Sequence, residues 1–119
     1  MSVWCGLQVD GTTVAEIEVA ATWVTRLRGL LGRRSLPAGL WLEPERSVHG
    51  AGMRVPLDVA VLDGDGRALA VLVLRPWRAT RPRTGGVAVL EAPRGSFERW
   101  GLVPGSVVRR VPLPGRQSG

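Results

Sequence analysis

Apolar residues along the chain fall into short runs separated by turn-forming residues, a pattern typical of β-strands. The runs that predict strands are Val3–Val9, Val14–Ala20, Leu40–Leu42, Leu57–Leu62, Ala68–Leu74, Val87–Ala92 and Ser106–Val111. Strong hairpin signals lie in Asp10-Gly11-Thr12 and in Asp63-Gly64-Asp65-Gly66. In the second run Glu16 and Glu18 share one parity, so we expect that face of the strand to be mostly exposed to solvent.

One segment has the period of a helix instead. Its apolar residues are Trp23, Val24, Leu27, Leu30 and Leu31, which form one stripe along a helix. This stripe predicts a helix over about residues 22–31, and residues 96–100 are expected to form a single helical turn. The predicted fold is therefore α+β with β dominant: a small barrel-like or strongly bent, mostly antiparallel sheet with one packed helix.

The size and composition of the chain fit one folded unit. It has 119 residues, of which 45% are hydrophobic and 22% charged, close to the averages of globular proteins. We expect a single domain over residues 1–111. A flexible C-terminal tail is expected over residues 112–119, where proline, glycine and polar residues replace the apolar pattern.

The sequence also bounds the location and the cofactor chemistry. No apolar run is long enough to span a bilayer, and the N-terminus lacks the basic start and uninterrupted apolar stretch of a signal peptide. The expected location is therefore the cytoplasm. Cys5 is the only cysteine, which excludes an internal disulfide and a metal site built from several cysteines. We predict no cofactor and no metal.

Basic residues outnumber acidic ones, and the formal net charge is +6. All 16 cationic residues are arginine, spread along the chain rather than gathered in one stripe. Lysine, tyrosine and asparagine are all absent, which indicates a coding bias, so nucleic acid is not the expected partner. Polyanion binding through the Arg75–Arg83 loop is kept as an alternative, and it would weaken steeply with salt.

The segment from residue 48 to residue 58 is the most unusual stretch of the chain. Its distinctive residues are His49 (the only histidine), Gly52, Met53, Arg54 and Asp58. One hypothesis is a shallow pocket in which His49 and Asp58 converge on a ligand, with Arg54 as an anchor for an anion. The alternative is structural: Asp58 accepts backbone N–H bonds at a tight corner, and His49 is half exposed.

Trp77 is the last member of the candidate site. It lies between arginines in Arg75-Pro76-Trp77-Arg78, where an exposed indole would stack on a ligand or a partner. The alternative is a side chain folded back over the core. The candidate ligand or partner site therefore consists of His49, Gly52, Met53, Arg54, Asp58 and Trp77.

Several blocks of residues, in this order and at compatible spacing, resemble the DUF192 family of bacterial and archaeal domains of unknown function. The blocks are Val19-Ala20 with Arg26-x-x-Gly29-Leu30-Leu31-Gly32-Arg33, Met53 with Pro56-Leu57-Asp58, Leu62-Asp63 with Gly66, and Val89-Leu90-Glu91-x-Pro93-x-Gly95 with Gly101-Leu102 and Gly105. The resemblance runs from about Glu18 to Val111. It implies a compact β-rich fold with a helix packed on it, and it brings no established reaction, cofactor or catalytic residue.

Three functions compete at this point. The predicted one is a small binding or accessory module, which acts on an unknown protein partner or a small ligand through the surface around residues 48–58. The first alternative is a small enzyme that uses His49 and Asp58 with Arg54 as the anion anchor. The second is the polyanion-binding loop. The sequence does not define an oligomeric state.

Overall fold

The computed structural model describes residues 3–20, 38–43, 56–75 and 82–113. Its elements are β1 (Val3–Val9), β2 (Thr12–Ala20), β3 (Leu40–Leu42), β4 (Leu57–Leu62), β5 (Ala68–Leu74), β6 (Ala88–Pro93), α1 (Ser96–Trp100) and β7 (Val108–Val111). Each predicted strand is present, with ends that differ by at most two residues. The predicted helix over about residues 22–31 lies outside the described residues.

The strands form one seven-stranded sheet in the order β5-β4-β6-β3-β2-β1-β7. All neighbouring strands are antiparallel except β2 and β3, which are parallel. The prediction of a β-dominant α+β fold with a mostly antiparallel sheet is confirmed. Leu113, in the predicted tail, is buried, so the domain boundary at residue 111 stays a prediction.

Apolar side chains are buried on both faces of the sheet. The first cluster consists of Leu7, Val9, Ile17, Trp41, Ala60, Leu62, Ala68, Ala88, Leu90, Ala92, Phe97, Leu102 and Val108. The second consists of Leu42, Leu57, Val59, Val61, Ala70, Leu74 and Val89. Strand β4 contributes to both clusters, and every one of its residues is buried, which explains its nearly continuous apolar sequence.

The sheet is not closed into a barrel, but its two edge strands meet at one place. Residues 66–68, at the start of β5, contact residues 105–108, at the start of β7, and we call this contact the seam. An isolated antiparallel bridge joins Arg67 to Val107. Its flanking hydrogen bonds run from Ala68 N to Ser106 O (2.9 Å), from Gly105 N to Ala68 O (2.8 Å) and from Val108 N to Gly66 O (2.8 Å). Because the first and last strands of the order touch, the sheet is strongly bent.

Two residues outside the strands make the seam possible. Gly66 has a φ of 84°, and a Cβ atom there would clash with the carbonyl oxygen of Val108. Only glycine fits this approach. Asp10, in the β1–β2 turn, holds both polar backbone groups of Val107: its N–H donates to Val107 O (2.8 Å), and its Oδ1 accepts from Val107 N (2.8 Å).

The helix α1 is a single short element between two glycines. Gly95 and Gly101 flank it in the left-handed region, with φ of 95° and 68°, so glycine both starts and ends it. Its Phe97 packs into the first cluster. In the described ranges, no helix is long and apolar enough to cross a membrane.

Candidate functional site

Asp58 is the only member of the predicted site that lies within the described residues. The other five members, His49, Gly52, Met53, Arg54 and Trp77, lie outside them. The convergence of His49 and Asp58 on a ligand therefore stays a prediction.

The carboxylate of Asp58 is buried, with 8% of the residue exposed. Its Oδ2 accepts hydrogen bonds from the backbone N–H groups of Gly95 (2.9 Å) and Phe97 (3.1 Å). These are N–H groups at the start of α1, whose own first residues supply no side-chain cap. Asp58 thus does from β4 what an N-cap residue does locally. This geometry matches the structural alternative for Asp58.

Two further buried carboxylates lie on the opposite face of the sheet. Glu18 and Glu91 are 4% and 2% exposed, and each is in register with Leu40 on the strand between them. At a strand spacing of about 4.8 Å, their backbones are roughly 10 Å apart. The expectation that Glu18 faces solvent is wrong, because only 4% of the residue is exposed. Neither residue lacks an interaction partner, and their burial does not favour them as groups that meet a substrate.

An open cleft of about 550 Å³ lies beside the seam, a volume typical of small-molecule sites. The residues that line it come from several elements: Cys5, Val19, Trp41, Glu43, Val87 and Ala88, the turn Asp63–Gly66 and the segment Val108–Pro112. We call the largely apolar part of this lining, Cys5, Val19, Trp41, Val87 and Ala88, the floor. The cleft lies where the turn before β5 and the strand β7 separate after meeting at the seam.

The side chains of Trp41, Glu43 and Arg110 contact one another in the cleft. The indole Nε1 of Trp41 donates to Oε2 of Glu43 (3.0 Å), and the Arg110 guanidinium lies 3.3 Å from the same oxygen. Arg110 also stacks over the Trp41 ring, 5.1 Å from its centroid, a cation–π contact. Trp41 is buried, whereas the side chains of Arg110 and Glu43 are 41% and 42% exposed. The guanidinium is thus both positioned and accessible.

The two sides of the cleft differ in charge. The turn between β4 and β5 contributes Asp63 and Asp65, and β7 contributes Arg109 and Arg110. Oδ1 of Asp63 is already used, because it accepts from the N–H groups of Asp65 (2.9 Å) and Arg67 (2.9 Å). No hydrogen bond to the Asp65 carboxylate is found within the described residues. The cleft therefore has carboxylates on one side and the Arg110 guanidinium on the other. Arg110 is in register with Leu7 and Arg109 with Gln8, so the Arg109 side chain points to the opposite face of the sheet.

Cys5 lies in the cleft with its thiol half buried. Burial raises the pKa of the Cys5 thiol above its ordinary value of 9.0, and the positive charge of Arg110 partly offsets that rise. The thiol is therefore protonated at neutral pH, when it is a poor nucleophile. Its position makes it a useful chemical reporter of the cleft.

The cleft was missed in the sequence because no local pattern marks it. Cys5 and Arg110 lie on the neighbouring strands β1 and β7, but Trp41 lies on β3, which β2 separates from β1. Only the bend of the sheet brings the three residues together. One signal was available: Trp41-Leu42-Glu43 puts an indole donor two residues from an acceptor. That pair alone does not predict a cleft.

Comparison with known families places the chain. The chain matches the family DUF192, described as "Uncharacterized ACR", over residues 6–110. The protein belongs to that family, as its sequence blocks predicted. A UPF0127 protein of Pyrococcus horikoshii is 31% identical over 88 residues, which cover 70% of this chain and 76% of the relative. A UPF0127 protein of Pyrococcus furiosus gives the same identity and coverage.

Two solved structures share the fold. A protein from Sinorhizobium meliloti, described as a candidate transcription regulator, has a TM-score of 0.73 and 22% identity, covering 92% of this chain and 95% of that one. A protein of unknown function from Novosphingobium aromaticivorans has a TM-score of 0.68 and 24% identity, covering 87% and 83%. At these identities the likeness concerns the fold alone.

Proposed function

We propose that this protein is a binding module that takes a small ligand in the cleft beside the seam. The observation that carries the proposal is the Arg110 guanidinium, which Trp41 and Glu43 position in the cleft while 41% of its side chain stays exposed. A fixed and accessible guanidinium is a recognition group for carboxylate or phosphate oxygens. The surrounding volume of about 550 Å³ suits a ligand of small-molecule size.

The charges that line the cleft define the ligand class. Arg110 favours an anionic group on the β7 side, and the Asp65 carboxylate favours a cationic group on the side of the turn. The largely apolar floor favours a nonpolar body between the two. The ligand we propose is therefore a small zwitterionic amphiphile, of the kind that free amino acids, short peptides and charged amino sugars represent.

The described residues favour binding over catalysis. Oδ2 of Asp58 is held by two backbone N–H groups, which is a structural use of that carboxylate. Burial raises the pKa of the Cys5 thiol, which keeps it in the protonated form at neutral pH. The surface of residues 48–58 stays a second candidate for the same binding function, with an unknown protein or a small ligand as its partner.

A thermal-shift screen tests the proposal and separates the two surfaces. The purified chain is screened against zwitterions, simple anions, simple cations and neutral sugars. A ligand at about one hundred times its Kd adds about 2.7 kcal/mol to the free energy of unfolding, enough to move Tm by roughly 10 °C in a domain of this size. We expect hits among compounds that carry both charges.

Variants then locate any hit. Arg110→Gln and Asp65→Asn remove one charge from each side of the cleft, and Arg94→Gln is the matched control, because Arg94 is exposed and outside the cleft. Loss of the shift in Arg110→Gln but not in His49→Ala places the ligand in the cleft. The reverse result places it at residues 48–58 and contradicts the proposed site. A screen without any hit contradicts a small ligand.

A further inference from the structure

Strand β5 is an edge strand whose sequence lacks the usual protection of an edge. It lies at the end of the sheet order, and it reads ALAVLVL without a charge or a proline. Natural edge strands normally carry charges, proline or a cover to prevent pairing with other chains. Leu69 and Val73 are exposed by 39% and 38%. Within the described part of the chain, this edge therefore has neither a charge nor a proline to prevent pairing.

The free part of the edge has definite limits. The seam already occupies Ala68, through its bonds with Gly105 and Ser106. Beyond Ala68, none of the strands in the described ranges pairs with the outer side of β5. The free edge, as we call it, is therefore Leu69–Leu74.

Exposed arginines stand at both ends of the free edge. Arg67 precedes β5, Arg75 follows it, and both are exposed. Antiparallel pairing of two copies along Leu69–Leu74 would bring Arg75 of each copy close to the Arg67 end of the other. Like charges at such positions destabilise a strand pair. The edge thus disfavours a second copy of this chain.

We infer that the free edge binds an extended peptide segment of another protein, with an apolar β-forming middle and acidic residues at both ends. Backbone hydrogen bonds would extend the sheet by one strand, as in β-strand addition. Leu69 and Val73 would contact the apolar middle, and Arg67 and Arg75 would pair with the terminal carboxylates. This site is independent of the cleft, because Leu69–Leu74 contributes nothing to the cleft lining.

The test uses two labelled synthetic peptides of about eight residues, a common strand length. Both have the same middle of alternating valine and threonine; one carries Glu at both ends and the other Lys. Fluorescence anisotropy with the full chain measures their affinities, and hydrogen exchange reports the β5 amides. We expect the Glu peptide to bind about tenfold more tightly than the Lys peptide at low salt. At each end, Glu attracts the neighbouring arginine, whereas Lys repels it. Added salt should reduce this ratio.

Charge reversal decides the assignment. Arg75→Glu should abolish or invert the preference for the Glu peptide, whereas Arg75→Lys, which keeps the positive charge, should leave it largely unchanged. Val73→Glu, at an exposed position, should weaken the binding of both peptides. The inference is overturned if neither peptide binds, if both bind equally, or if Arg75→Glu leaves the preference intact. Protection of the β5 amides that appears only as protein concentration rises would instead identify a second copy as the occupant.

Discussion

The seam and the cleft lie side by side and are built from the same two segments, yet they use them in opposite ways. At the seam, backbone contacts backbone: Gly66 and Ala68 exchange hydrogen bonds of 2.8–2.9 Å with Gly105, Ser106 and Val108. In the cleft the two segments separate, and side chains line the space between them. The same stretch of chain therefore forms a backbone contact first and lines an open cleft a few residues later.

This difference teaches where substitutions should matter. Close backbone contacts leave no room for an added atom, so the seam is sensitive to the smallest change in shape. The Arg110–Glu43 ion pair of the cleft is exposed, and exposed ion pairs contribute little to stability. Seam variants should lower stability, and cleft variants should change binding while stability is kept.

The largest expected effect is that of Gly66→Ala. The added Cβ would clash with the Val108 carbonyl oxygen, and alanine would have to adopt a φ of 84°. A left-handed conformation alone costs about 1–2 kcal/mol for a residue other than glycine. With the clash included, we expect a loss of about 2–4 kcal/mol in the free energy of unfolding, measured by chemical denaturation.

Gly64→Ala, in the same turn, is the matched control. An added Cβ there meets nothing within 4 Å, and its φ is not in the left-handed region. Its effect should be within about 0.5 kcal/mol of zero. Equal losses for Gly64→Ala and Gly66→Ala would contradict the account of the seam.

A smaller effect is expected at Asp10, which holds Val107 from the β1–β2 turn. Asp10→Ala removes the acceptor of the 2.8 Å bond from Val107 N and puts alanine at a φ of 49°. We expect Asp10→Ala to lower the free energy of unfolding, measured by chemical denaturation, by about 1–2 kcal/mol. Asp10→Gly removes the carboxylate but accepts the backbone angle, so it should lose less. A loss for Asp10→Gly as large as that for Asp10→Ala would assign the whole effect to the hydrogen bond.

The sequence predicted the strands and turns well because those signals are local. Alternation, turn glycines and aspartates gave β1 to β7, the two hairpins and the helical turn of α1 before any contact was known. Burial of Glu18 was not predictable in this way, since parity shows which residues share a face but not what covers that face. The steric need for glycine at residue 66 depends on Val108, which lies 42 positions further along the chain.

The cleft was beyond sequence reasoning for the same physical reason. Trp41, Glu43 and Arg110 become one cluster only because the sheet bends, since β2 and β1 lie between β3 and β7 in the order of the sheet. Arginine is also the commonest charged residue of this chain, so nothing in its composition distinguishes Arg110 from the others. Only the fold shows which of the arginines contacts Trp41 and Glu43.

In the cleft, Arg110→Gln should have a small effect on stability and a large one on binding. The Arg110 side chain is 41% exposed, so we expect the substitution to lower the free energy of unfolding by less than about 1 kcal/mol. The fluorescence of the protein should change, because the guanidinium leaves the Trp41 ring. Any ligand found by the thermal-shift screen should lose its effect on Tm. A loss of stability as large as that of Gly66→Ala would show that Arg110 belongs to the structural part of the molecule.

The smallest effect concerns the Cys5 thiol and follows from electrostatics alone. Burial raises its pKa above 9.0, and Arg110 lowers it again in part. The stability that comes from burying the neutral thiol is therefore present below pH 9.0 and is lost as the pH rises through the folded-state pKa. Alkylation of Cys5 should be slow at pH 7 and accelerate with pH.

Removing the Arg110 charge sharpens this measurement. In Arg110→Gln the pKa of Cys5 should rise further, so alkylation at a fixed pH should be slower than in the wild type, although the shorter glutamine leaves the thiol at least as accessible. Arg94→Gln should not change the rate. Faster alkylation in Arg110→Gln would mean that Arg110 shields the thiol sterically. An anion bound to Arg110 should slow the reaction in the wild type for the same electrostatic reason, so Cys5 reports occupancy of the basic side of the cleft.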